Sequence, residues 1–510
     1  MALVYKHGTY GEFAETVARP TTQSGTLAVY VGTAPVNLVR GYEAYVNTPV
    51  YMADLNAAKR YMGYSDDWAS FTLCEAFWAH FDNLAGNVGP IVAINVLDPA
   101  THKKAEATTA QLTFVNKRAT ISSDTIILDT LALADKTEGT DYSIDYDWNK
   151  KEAIITDIGE TPISTQVQAT YSEVDVSMVD KDDVIGGVTA GGVHTGMGCI
   201  ALIYQKYNFI PNLIAAPGWS HDKEVYEAMI TAGTKINGHW DAFVVSDLPV
   251  SVPTSTIDSA VVGSTEVGSN TLIDNVDAAI SYKDLNGFTN ERTKVCWPMG
   301  IDSSGRVFHG STITMWAMLN TDESNNGIPM ESPSNKDAFI TAQYFGPDSK
   351  NQGFDQTRAN DLNAAGITTI VYWGARWAIW GPHTAAYKFG AVTDPRVIFD
   401  NSLRMMMYIS NSFQQEWAMT IDEPMTRALS DTIKNREQEK ADALVAVGAL
   451  IGKPVVTFEE SENSTAELVE GNFVWGFEGT PTPPFKSGTL QVAYTDAGFD
   501  TYFGEAEGEV

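Results

Sequence analysis

Three residue types that together can form a hydrolase active site stand side by side in the turn at residues 218–222, which reads Gly-Trp-Ser-His-Asp. In such a site a histidine takes the proton of a serine nucleophile, and an acid orients the histidine. A catalytic triad is assembled from distant segments, however, and this sequence has no Gly-x-Ser-x-Gly elbow. We therefore predict that Ser220 or Asp222 caps the helix that follows.

The glycine-rich run at residues 186–196 is the best candidate for a phosphate-binding loop. Such loops hold phosphate with backbone N–H groups, and they either end in Gly-Lys-Ser/Thr or follow a strand as Gly-x-Gly-x-x-Gly. This run has neither feature. We interpret it as a flexible linker into the core and expect no nucleotide cofactor.

Residues that bind metals are scattered along the chain. The eight histidines include no His-Glu-x-x-His pair, and Cys74, Cys199 and Cys296 are far apart. Residues 322–327 resemble the start of a calcium-binding loop, but Pro333 stands where the bidentate glutamate is required. We expect buried free thiols in a reducing compartment, and no metal or other cofactor.

The composition is strongly acidic. The 510 residues include 33 Lys and Arg against 64 Asp and Glu, which gives a formal net charge of −31. Proteins that bind nucleic acid need clustered basic residues to contact the phosphates, so direct nucleic-acid binding is not expected. A large net charge favours solubility at high concentration and attraction to cationic partners.

We expect neither a signal peptide nor a membrane helix. Residues 1–10 lack a basic start followed by an apolar run, because Lys6 and His7 interrupt them. A membrane helix needs about 18 apolar residues, and the nearest candidate, residues 370–380, contains Arg376. The sequence thus predicts synthesis in the cytoplasm and no membrane insertion.

The elements that must position these side chains begin with an α/β pattern. Residues 1–22 are polar and punctuated by glycine and proline, which is typical of an extended arm. Residues 23–98 contain a buried strand at 27–32, a helix from about 66 to 80 and a strand at 91–97. This order of strand, helix and strand indicates an α/β layer.

Residues 99–178 interrupt the α/β pattern with candidate strands alone. A tight turn at 147–151 between two alternating segments predicts a hairpin. We interpret the region as an inserted β-sandwich, because helices and strands alternate again after it. The candidate strands are residues 111–115, 120–128, 142–147, 153–157 and 165–171.

Residues 179–374 resume the alternation of helices and strands. The predicted helices are residues 196–206 and 221–232, and the predicted strands are residues 213–216, 240–246, 294–297 and 367–373. The alternation includes residues 312–319, and a long polar loop is predicted from Asn320 to Gly327. Such alternation is typical of a parallel or mostly parallel sheet.

The C-terminal part ends in strands that need a host sheet. A helix is predicted to run into residues 445–452 and to stop at Gly452, with Pro454 preventing its continuation. The strand-like segments beyond it are residues 455–459, 472–477 and 489–503. A helix and a few strands cannot bury a core of their own. These strands therefore pair either within their own domain or with the sheet edge of a neighbouring molecule.

A series of short motifs stands in order along nearly the whole chain: Val31-Gly32-Thr33-Ala34-Pro35, Val46-Asn47-Thr48-Pro49-Val50, Leu213-Ile214-Ala215-Ala216-Pro217-Gly218, Trp380-Gly381 and Gly448-Ala449-Leu450-Ile451-Gly452. In this combination and order the chain resembles the tail sheath proteins of contractile phage tails and phage-tail-like bacteriocins. Many sheaths place Arg-Thr close behind Trp-Gly. Here Pro382-His383-Thr384 follows instead, and Arg376 is the candidate substitute.

The resemblance implies an α/β multidomain fold. Its parts are a subtilisin-like, doubly wound core without an active site, an inserted β-sandwich, and an α+β C-terminal domain with extended terminal arms. The predicted division is an N-terminal arm (1–22), an α/β segment of the core (23–98), the β-sandwich (99–178), the remaining core (179–374), a C-terminal sheath domain (375–486) and a C-terminal strand with an acidic arm (487–510).

The resemblance also implies a structural subunit without enzyme activity. Sheath subunits are expected to form stacked six-membered rings around a tail tube and to drive it through a cell envelope on contraction. Expected partners are other sheath subunits, the tail tube protein, and baseplate and tail terminator proteins. The expected location is a virion tail or phage-tail-like particle, assembled in the bacterial cytoplasm.

Terminal arms are expected to link the subunits by adding strands to neighbouring sheets. Main-chain hydrogen bonds suit this task, because they can persist while side-chain contacts between subunit cores are exchanged. The candidate strand residues are Leu3, Tyr5, Leu490, Val492 and Tyr494.

A basic stretch in this acidic chain is a candidate contact with the tube. The residues are Arg427, Lys434, Arg436 and Lys440. Charge pairs made in the extended state and broken on contraction could store energy, and a small difference per subunit adds up over many copies. The alternative is a solvated helix in which Asp431, Glu437 and Glu439 neutralise the cations locally.

Two other classes of protein remain as alternatives. An α/β hydrolase needs a reactive serine or a metal, and a surface-layer protein needs a signal peptide or anchor. The inserted β region either binds host surfaces or decorates the exterior, and its lack of a clustered aromatic patch favours decoration.

Overall fold

The computed structural model describes residues 25–83, 85–163, 166–257, 259–347, 353–391 and 394–503. Within these ranges the centre of the molecule is an eight-stranded sheet. Strands and helices are numbered along the chain. The strands of the central sheet are β1 (Ala28–Gly32), β2 (Pro49–Met52), β3 (Ile91–Asn95), β12 (Leu213–Ala215), β13 (Phe243–Asp247), β17 (Thr293–Cys296), β21 (Ile367–Trp373) and β22 (Arg376–Trp380).

The central sheet is parallel except at its two edges. Its order is β2-β3-β1-β12-β13-β17-β21-β22. Neighbours from β3 to β21 run parallel, while β2 and β22 run antiparallel to β3 and β21. Every residue of β1, β3 and β13 is buried, which is the pattern of parallel strands covered on both faces. The prediction of a mostly parallel sheet is confirmed.

Within the described residues, α-helices pack against the central sheet and also form part of the C-terminal region. They are α1 (Leu55–Tyr61), α2 (Thr72–Phe81), α3 (Lys181–Ile185), α4 (Ile203–Tyr207), α5 (Lys223–Ala232), α6 (Val276–Leu285), α7 (Gly310–Ser324), α8 (Gln356–Ala364), α9 (Asp400–Trp417), α10 (Arg427–Ala446) and α11 (Thr465–Val469). Phe77 of α2 and Met315 of α7 belong to one buried apolar cluster. Tyr282 of α6 and Leu362 of α8 belong to another.

Helix α7 corrects the loop predicted at residues 320–327. The helix includes residues 312–319 and continues to Ser324, so the first half of the predicted loop is helical. All residues from Gly310 to Leu319 are buried. A helix that is buried all round has no polar face, so hydrophobic periodicity does not reveal it.

The glycine-rich run forms a small hairpin, and its interpretation as a flexible linker is wrong. Strand β10 (Gly187–Val188) pairs antiparallel with β11 (His194–Thr195). Gly186 has a φ of 55°, and a Cβ atom there would overlap the carbonyl oxygen of Thr195. The helix predicted at 196–206 is divided into a 3-10 helix, Gly196–Leu202, and the short α4.

The region predicted as a β insertion forms two small antiparallel sheets. Their strands are β4 (Thr108–Thr113), β5 (Arg118–Ser122), β6 (Ala132–Leu133), β7 (Tyr142–Asp147), β8 (Glu152–Asp157) and β9 (Gln166–Tyr171). Over the described residues the orders are β4-β9-β6 and β5-β8-β7. Exposed and buried residues alternate along β9, and Ile155 and Ala169 contribute to an apolar cluster shared by the two sheets. The predicted hairpin is confirmed as β7–β8.

Two further small sheets decorate the core. Their strands are β14 (Ser251–Pro253), β15 (Thr265–Val267), β16 (Asn270–Leu272), β18 (Met299–Ile301), β19 (Val307–Phe308) and β20 (Ala342–Tyr344). Their orders are β14-β16-β15 and β19-β18-β20. The second sheet lies beside the start of α7, because β19 ends two residues before that helix begins.

The C-terminal part consists of α9 and α10 followed by a two-stranded sheet, β23 (Leu450–Thr457) and β24 (Gly476–Pro481). The prediction that the helix stops at Gly452 is wrong. Helix α10 ends at Ala446, and Gly448, with a φ of 82°, adopts the left-handed conformation that stops it. Gly452 is also left-handed, with a φ of 78°, but it lies at an irregularity within β23. The earlier of the two glycines therefore ends the helix.

The three cysteines are buried free thiols, as predicted. Burial raises the pKa of Cys199 and of Cys296 to about 12, and it also raises the pKa of Cys74. These thiols are therefore protonated at neutral pH and poor nucleophiles. In the described ranges no helix is long and apolar enough to cross a bilayer.

Candidate assembly surfaces

Helix α10 carries the four candidate tube-facing cations on two different sides. At about 100° per residue, Arg427 and Lys434 fall on one side of the buried stripe, and Arg436 and Lys440 fall on the other. The stripe consists of Ser430, Ile433, Glu437 and Ala441. A single flat surface therefore cannot contact all four cations.

Two of these cations are paired with acids of the same chain. Arg436 Nε lies 3.1 Å from Glu416 Oε1, while Lys440 Nζ lies 2.6 Å from Glu416 Oε2 and 2.8 Å from Glu437 Oε1. Burial raises the pKa of Glu416, but hydrogen bonds from Lys440 and Arg436 outweigh it and hold the pKa below its usual value. Because Glu416 belongs to α9, these pairs fasten α10 to α9. Sequence reasoning missed Glu416 because it lies on a different helix.

Arg427 and Lys434 are the cations that remain available to another molecule. The side chain of Arg427 is 96% exposed, and its Nε lies 3.9 Å from Asp431 Oδ2. Lys434 is half-buried, and within the described part of the chain its ammonium forms no ion pair. The structure thus separates two cations that bind Glu416 of α9 from two that do not.

The segment that follows β24 is irregular and exposed. Residues 482–495 form neither helix nor strand. Leu490, Val492 and Tyr494 are 86%, 85% and 83% exposed. When such a segment pairs as a strand, alternate residues share one face, and these three apolar side chains then lie together.

The strand predicted at residues 489–503 is not formed within the described chain. Its second half, Ala497–Phe503, is a 3-10 helix. Its first half has the alternating pattern of a strand without a partner strand to pair with. The other two candidate strand residues, Leu3 and Tyr5, lie outside the described residues.

The β23–β24 sheet is small and partly apolar on its surface. Ile451 is 47% exposed and Val455 is 39% exposed. A two-stranded sheet is marginally stable by itself, and β23 gains support by packing against α10. The predicted strands at 455–459 and 472–477 overlap this sheet in part. Residues 479–484 are rich in glycine, proline and threonine, which favour a turn, yet β24 continues to Pro481.

An ion pair that is fully buried joins α9 to the central sheet. Lys294 Nζ of β17 lies 2.5 Å from Asp400 Oδ2, and both side chains are 0% exposed. Lys294 also donates to the carbonyl oxygen of Gly381 at 2.7 Å, and Ser332 Oγ donates to Asp400 Oδ2 at 3.0 Å. The first residue of α9 is therefore held inside the core by several charged hydrogen bonds.

A second buried ion pair lies one turn further along α9. Arg404 binds Asp322 of α7, with Nη1 3.3 Å from Oδ1 and a shorter bond from Nη2 to Oδ2. Thr26 Oγ1 donates to Asp322 Oδ2 at 2.5 Å. Thr26 precedes β1, so this cluster ties the beginning of the core to α9. Asp322, part of the segment that resembles a calcium loop, thus serves an ion pair.

Sequence reasoning missed both ion pairs. Their partners are 106 and 82 residues apart, so spacing gives no indication of them. The one available signal is Lys294 itself, a lysine inside an otherwise apolar strand. A charge in that position requires a buried partner.

Polar side chains also cluster at the carboxyl end of β13, where doubly wound sheets commonly hold ligands. Ser311 donates to Asp247 through its hydroxyl at 2.5 Å and its backbone N–H at 2.7 Å. Ser220 Oγ lies 3.3 Å from the same carboxylate. Burial raises the pKa of Asp247.

The histidine next to this cluster is bound to a different acid. His309 Nδ1 lies 2.9 Å from Glu75 Oε2. Burial lowers the pKa of His309, but Glu75 and then Asp247 outweigh it and raise the pKa to about 9. An imidazole that is protonated at neutral pH cannot accept the proton of a serine. This cluster therefore ties α2, α7 and β13 together by charged hydrogen bonds.

The neighbouring Ser-His-Asp residues of the turn do not meet as a triad. Ser220 binds Asp247, while Asp222 caps α5 by accepting from the backbone N–H of Glu224 at 2.8 Å. Burial lowers the pKa of His221 to about 4. The prediction of a helix cap is confirmed for Asp222. In the described ranges no three histidine, cysteine, aspartate or glutamate side chains are arranged to hold a metal ion.

Comparisons with known proteins cover nearly the whole chain. The chain is 27% identical over 529 aligned positions to the tail sheath protein of Burkholderia phage BcepMu, covering 97% of this chain and 98% of that protein. It is 22% identical over 407 positions to the major tail sheath protein of Serratia phage KSP20, covering 76% and 94%. Its fold is similar to the helical sheath of the anti-feeding prophage in the contracted state, with a TM-score of 0.51, 12% identity, and 97% and 100% coverage. No protein-family model matches the chain.

Proposed function

This chain belongs to the contractile tail sheath family, and on that premise we propose that it assembles as stacked six-membered rings around a tail tube and contracts to drive the tube through a cell envelope. The similarity to a phage tail sheath protein over 97% of the chain supports this proposal. Its coarser content, a structural subunit of a contractile sheath, follows from the family itself.

The observation that carries the proposal is the exposed apolar face of the C-terminal segment. Fully burying one Leu or Val side chain is worth about 1.5–3 kcal/mol. Leu490, Val492 and Tyr494 forgo that stabilisation in the single chain, since each is more than four-fifths exposed. Pairing with a neighbouring subunit buries one side of the segment and satisfies its main-chain hydrogen bonds.

The acceptor of this strand is the β23–β24 sheet of another subunit. That sheet has two strands within the described chain, and it carries exposed apolar residues such as Ile451 and Val455. Adding strands to a marginal sheet stabilises it. Residues 1–22, with Leu3 and Tyr5, are proposed as a second arm of the same kind.

The contact with the tube is assigned to Arg427 and Lys434. Arg436 and Lys440 are retained in the proposed surface only at its margin, because Glu416 already binds them. A pair of cations on an acidic subunit provides a local attraction that contraction can break. The other proposed partners are the baseplate and tail terminator proteins.

The two buried ion pairs on α9 join the C-terminal part of the subunit to its α/β core. They hold Asp400 and Arg404 against β17 and α7, so that α9 and the sheet that follows move with the core. In this account residues 375–486 form the sheath domain that carries the acceptor sheet, and the α/β core adopts the subtilisin-like arrangement. Residues 99–178 form the β-sandwich that decorates the exterior.

The hydrolase alternative gains no support from the polar cluster at β13. The hydroxyl of Ser311 donates to Asp247 and not to an imidazole. His309 is engaged by Glu75. The proposed location is a phage tail or phage-tail-like particle, assembled in the bacterial cytoplasm.

Negative-stain electron microscopy of the purified protein at high concentration tests the proposal. The full chain is expected to form hollow tubes with helical striations. A variant ending at residue 486 is expected to remain in small particles, because it lacks the donated strand. Small particles from the full chain at every concentration would contradict self-assembly.

A further inference from the structure

A cleft of about 790 Å³ lies between the end of β22, the start of α9 and the residues that follow β24. Its volume is in the range of pockets that bind small molecules. Two of the residues that line it, His383 and Asn401, are 3% and 1% exposed. Each carries one buried polar atom, Nε2 of His383 and Oδ1 of Asn401, that forms no hydrogen bond within the described part of the chain. A buried polar atom without a partner costs free energy, so both atoms require an explanation.

The unpaired atom of His383 is a hydrogen-bond acceptor. Nδ1 lies 2.9 Å from the carbonyl oxygen of Ile398, which can only accept, so Nδ1 carries a proton. Burial lowers the pKa of His383 to about 4, and the ring is therefore uncharged at neutral pH, with a free lone pair on Nε2. The ring stacks on Tyr387 and on Phe399, with ring centres 3.6 Å and 5.2 Å away. These contacts hold it in one orientation.

The unpaired atom of Asn401 is an acceptor as well. Nδ2 of this residue donates to the carbonyl oxygens of Met330 at 2.9 Å and of Thr482 at 3.0 Å. A flipped carboxamide would direct its own oxygen at these two oxygens, so the orientation is fixed and Oδ1 is the atom left unpaired. His383 and Asn401 thus present two buried acceptors at one cleft, and both require a donor from another molecule.

The charges around the cleft favour an uncharged donor. Besides burial, the positive charges of Lys486, which lines the cleft, and of Lys294 lower the pKa of His383. A further cation beside this ring is therefore unfavourable. A carboxylate or phosphate is unfavourable too, because its oxygens would face two acceptors without donating to them. Glu331, an acid that lines the cleft, is already bound by Lys336 at 2.6 Å.

We propose that this cleft binds a primary carboxamide carried on a small aromatic molecule. A primary carboxamide has two N–H donors, one for Nε2 of His383 and one for Oδ1 of Asn401, and its carbonyl oxygen can face Lys486. Phe389 and Phe485, which are 75% and 91% exposed, line the same cleft and offer apolar surface to the aromatic group. Binding at this site does not require assembly of the sheath.

Ligand-observed NMR with the purified full chain tests this site. The probe is benzamide, and acetophenone is its matched control, because a methyl group replaces the NH2 group while the ring and the C=O group are kept. Benzamide is expected to bind about tenfold more tightly than acetophenone, since only benzamide can donate to the two buried acceptors. Equal affinities of the two compounds, or no binding of benzamide at millimolar concentration, would overturn the proposal.

Two variants locate the bound benzamide. His383→Phe keeps a stacked ring but removes Nε2, and it is expected to weaken benzamide binding about fivefold while leaving acetophenone binding unchanged. Ser487→Ala is the control, because Ser487 is exposed and lines the same cleft, and it is expected to bind benzamide as the wild type does. Thermal unfolding checks that each variant is folded, and the comparison of the two ligands in the wild type needs no variant. Unchanged benzamide affinity in folded His383→Phe would overturn the assignment of the site.

Discussion

The buried ion pair between Lys294 and Asp400 provides the sharpest test of how the subunit is held together. Replacing Asp400 by Asn removes the negative charge but keeps the shape of the side chain. Lys294 then remains buried at 0% exposure with the carbonyl oxygens of Gly381 and His383 as its main acceptors. Removing one partner of a buried pair typically costs about 3–5 kcal/mol, because the other charge is left without compensation.

A double variant separates the cost of leaving Lys294 unpaired from the cost of lost packing. A double variant, Lys294→Met with Asp400→Leu, removes both charges and fills similar volume. Apolar replacement of a whole buried pair is often neutral or stabilising. The double variant is therefore expected to be more stable than Asp400→Asn alone.

Native-state hydrogen exchange of the α9 amides measures how much Asp400→Asn lowers the stability of this helix. Arg396→Ala is the control, because Arg396 and Asp394 form a similarly short pair, 2.6 Å, with side chains 73% and 40% exposed. That exposed pair is expected to contribute nothing measurable. High salt is expected to leave the Asp400→Asn effect unchanged, because buried pairs are screened little. A loss of less than about 1 kcal/mol for Asp400→Asn would refute the assignment of this pair as the joint between α9 and the core.

Three further predictions concern pH, assembly and the tube. The pKa of His309 is raised from 6.5 to about 9 in the folded chain, so its ion pair stabilises the fold fully below pH 6.5, and this stabilisation, about 3 kcal/mol, is lost as the pH rises towards 9. His309→Gln should therefore reduce the fall in the free energy of unfolding, measured in urea, between pH 6.5 and 9. An unchanged pH dependence in the variant would contradict this prediction. Val492→Asp should abolish tubes in electron microscopy without altering the melting temperature of the monomer, whereas Gln491→Asp, on the other face, should assemble nearly as well. Lys434→Glu should weaken co-sedimentation with the tail tube protein but not self-assembly. Arg436→Glu should instead weaken the packing of α10 against α9. If both variants reduced tube binding equally, the distinction between tube-contacting cations and cations that bind Glu416 would be contradicted.

The central sheet could be predicted because each of its strands has a recognisable local sequence pattern. Segments such as β1 and β13 are short apolar runs separated by helices, and a parallel sheet buried on both faces requires that pattern. Asp222 was predictable as a helix cap for the same reason, since its role depends on residues two and three positions away. Local chemistry determines both features.

The predictions of α7 and of the end of α10 were wrong for two reasons. Complete burial removes the polar stripe of a helix, and two nearby glycines can each end one. Helix α7 is buried on all sides through Leu319, so its sequence has no polar stripe. The end of α10 depended on a choice between Gly448 and Gly452, and both glycines adopt positive φ. Only the chain's packing shows that the first ends the helix and the second bends a strand.

The assembly surfaces could be predicted only in part, because the strands and molecules that they contact lie outside the single chain. The alternation of Leu490, Val492 and Tyr494 indicates a strand, yet the single chain contains no strand there, since β propensity describes fitness for a sheet that another element must supply. The role of Glu416 could not be predicted, because it depends on α9 and α10 meeting in space.

Helical reconstruction of assembled sheath by electron cryomicroscopy tests the central claim most directly. The account predicts that residues 490–494 of one subunit form a strand hydrogen-bonded to the β23–β24 sheet of another. Assembled tubes in which residues 490–494 contact no other subunit, or pair only within their own chain, would contradict it.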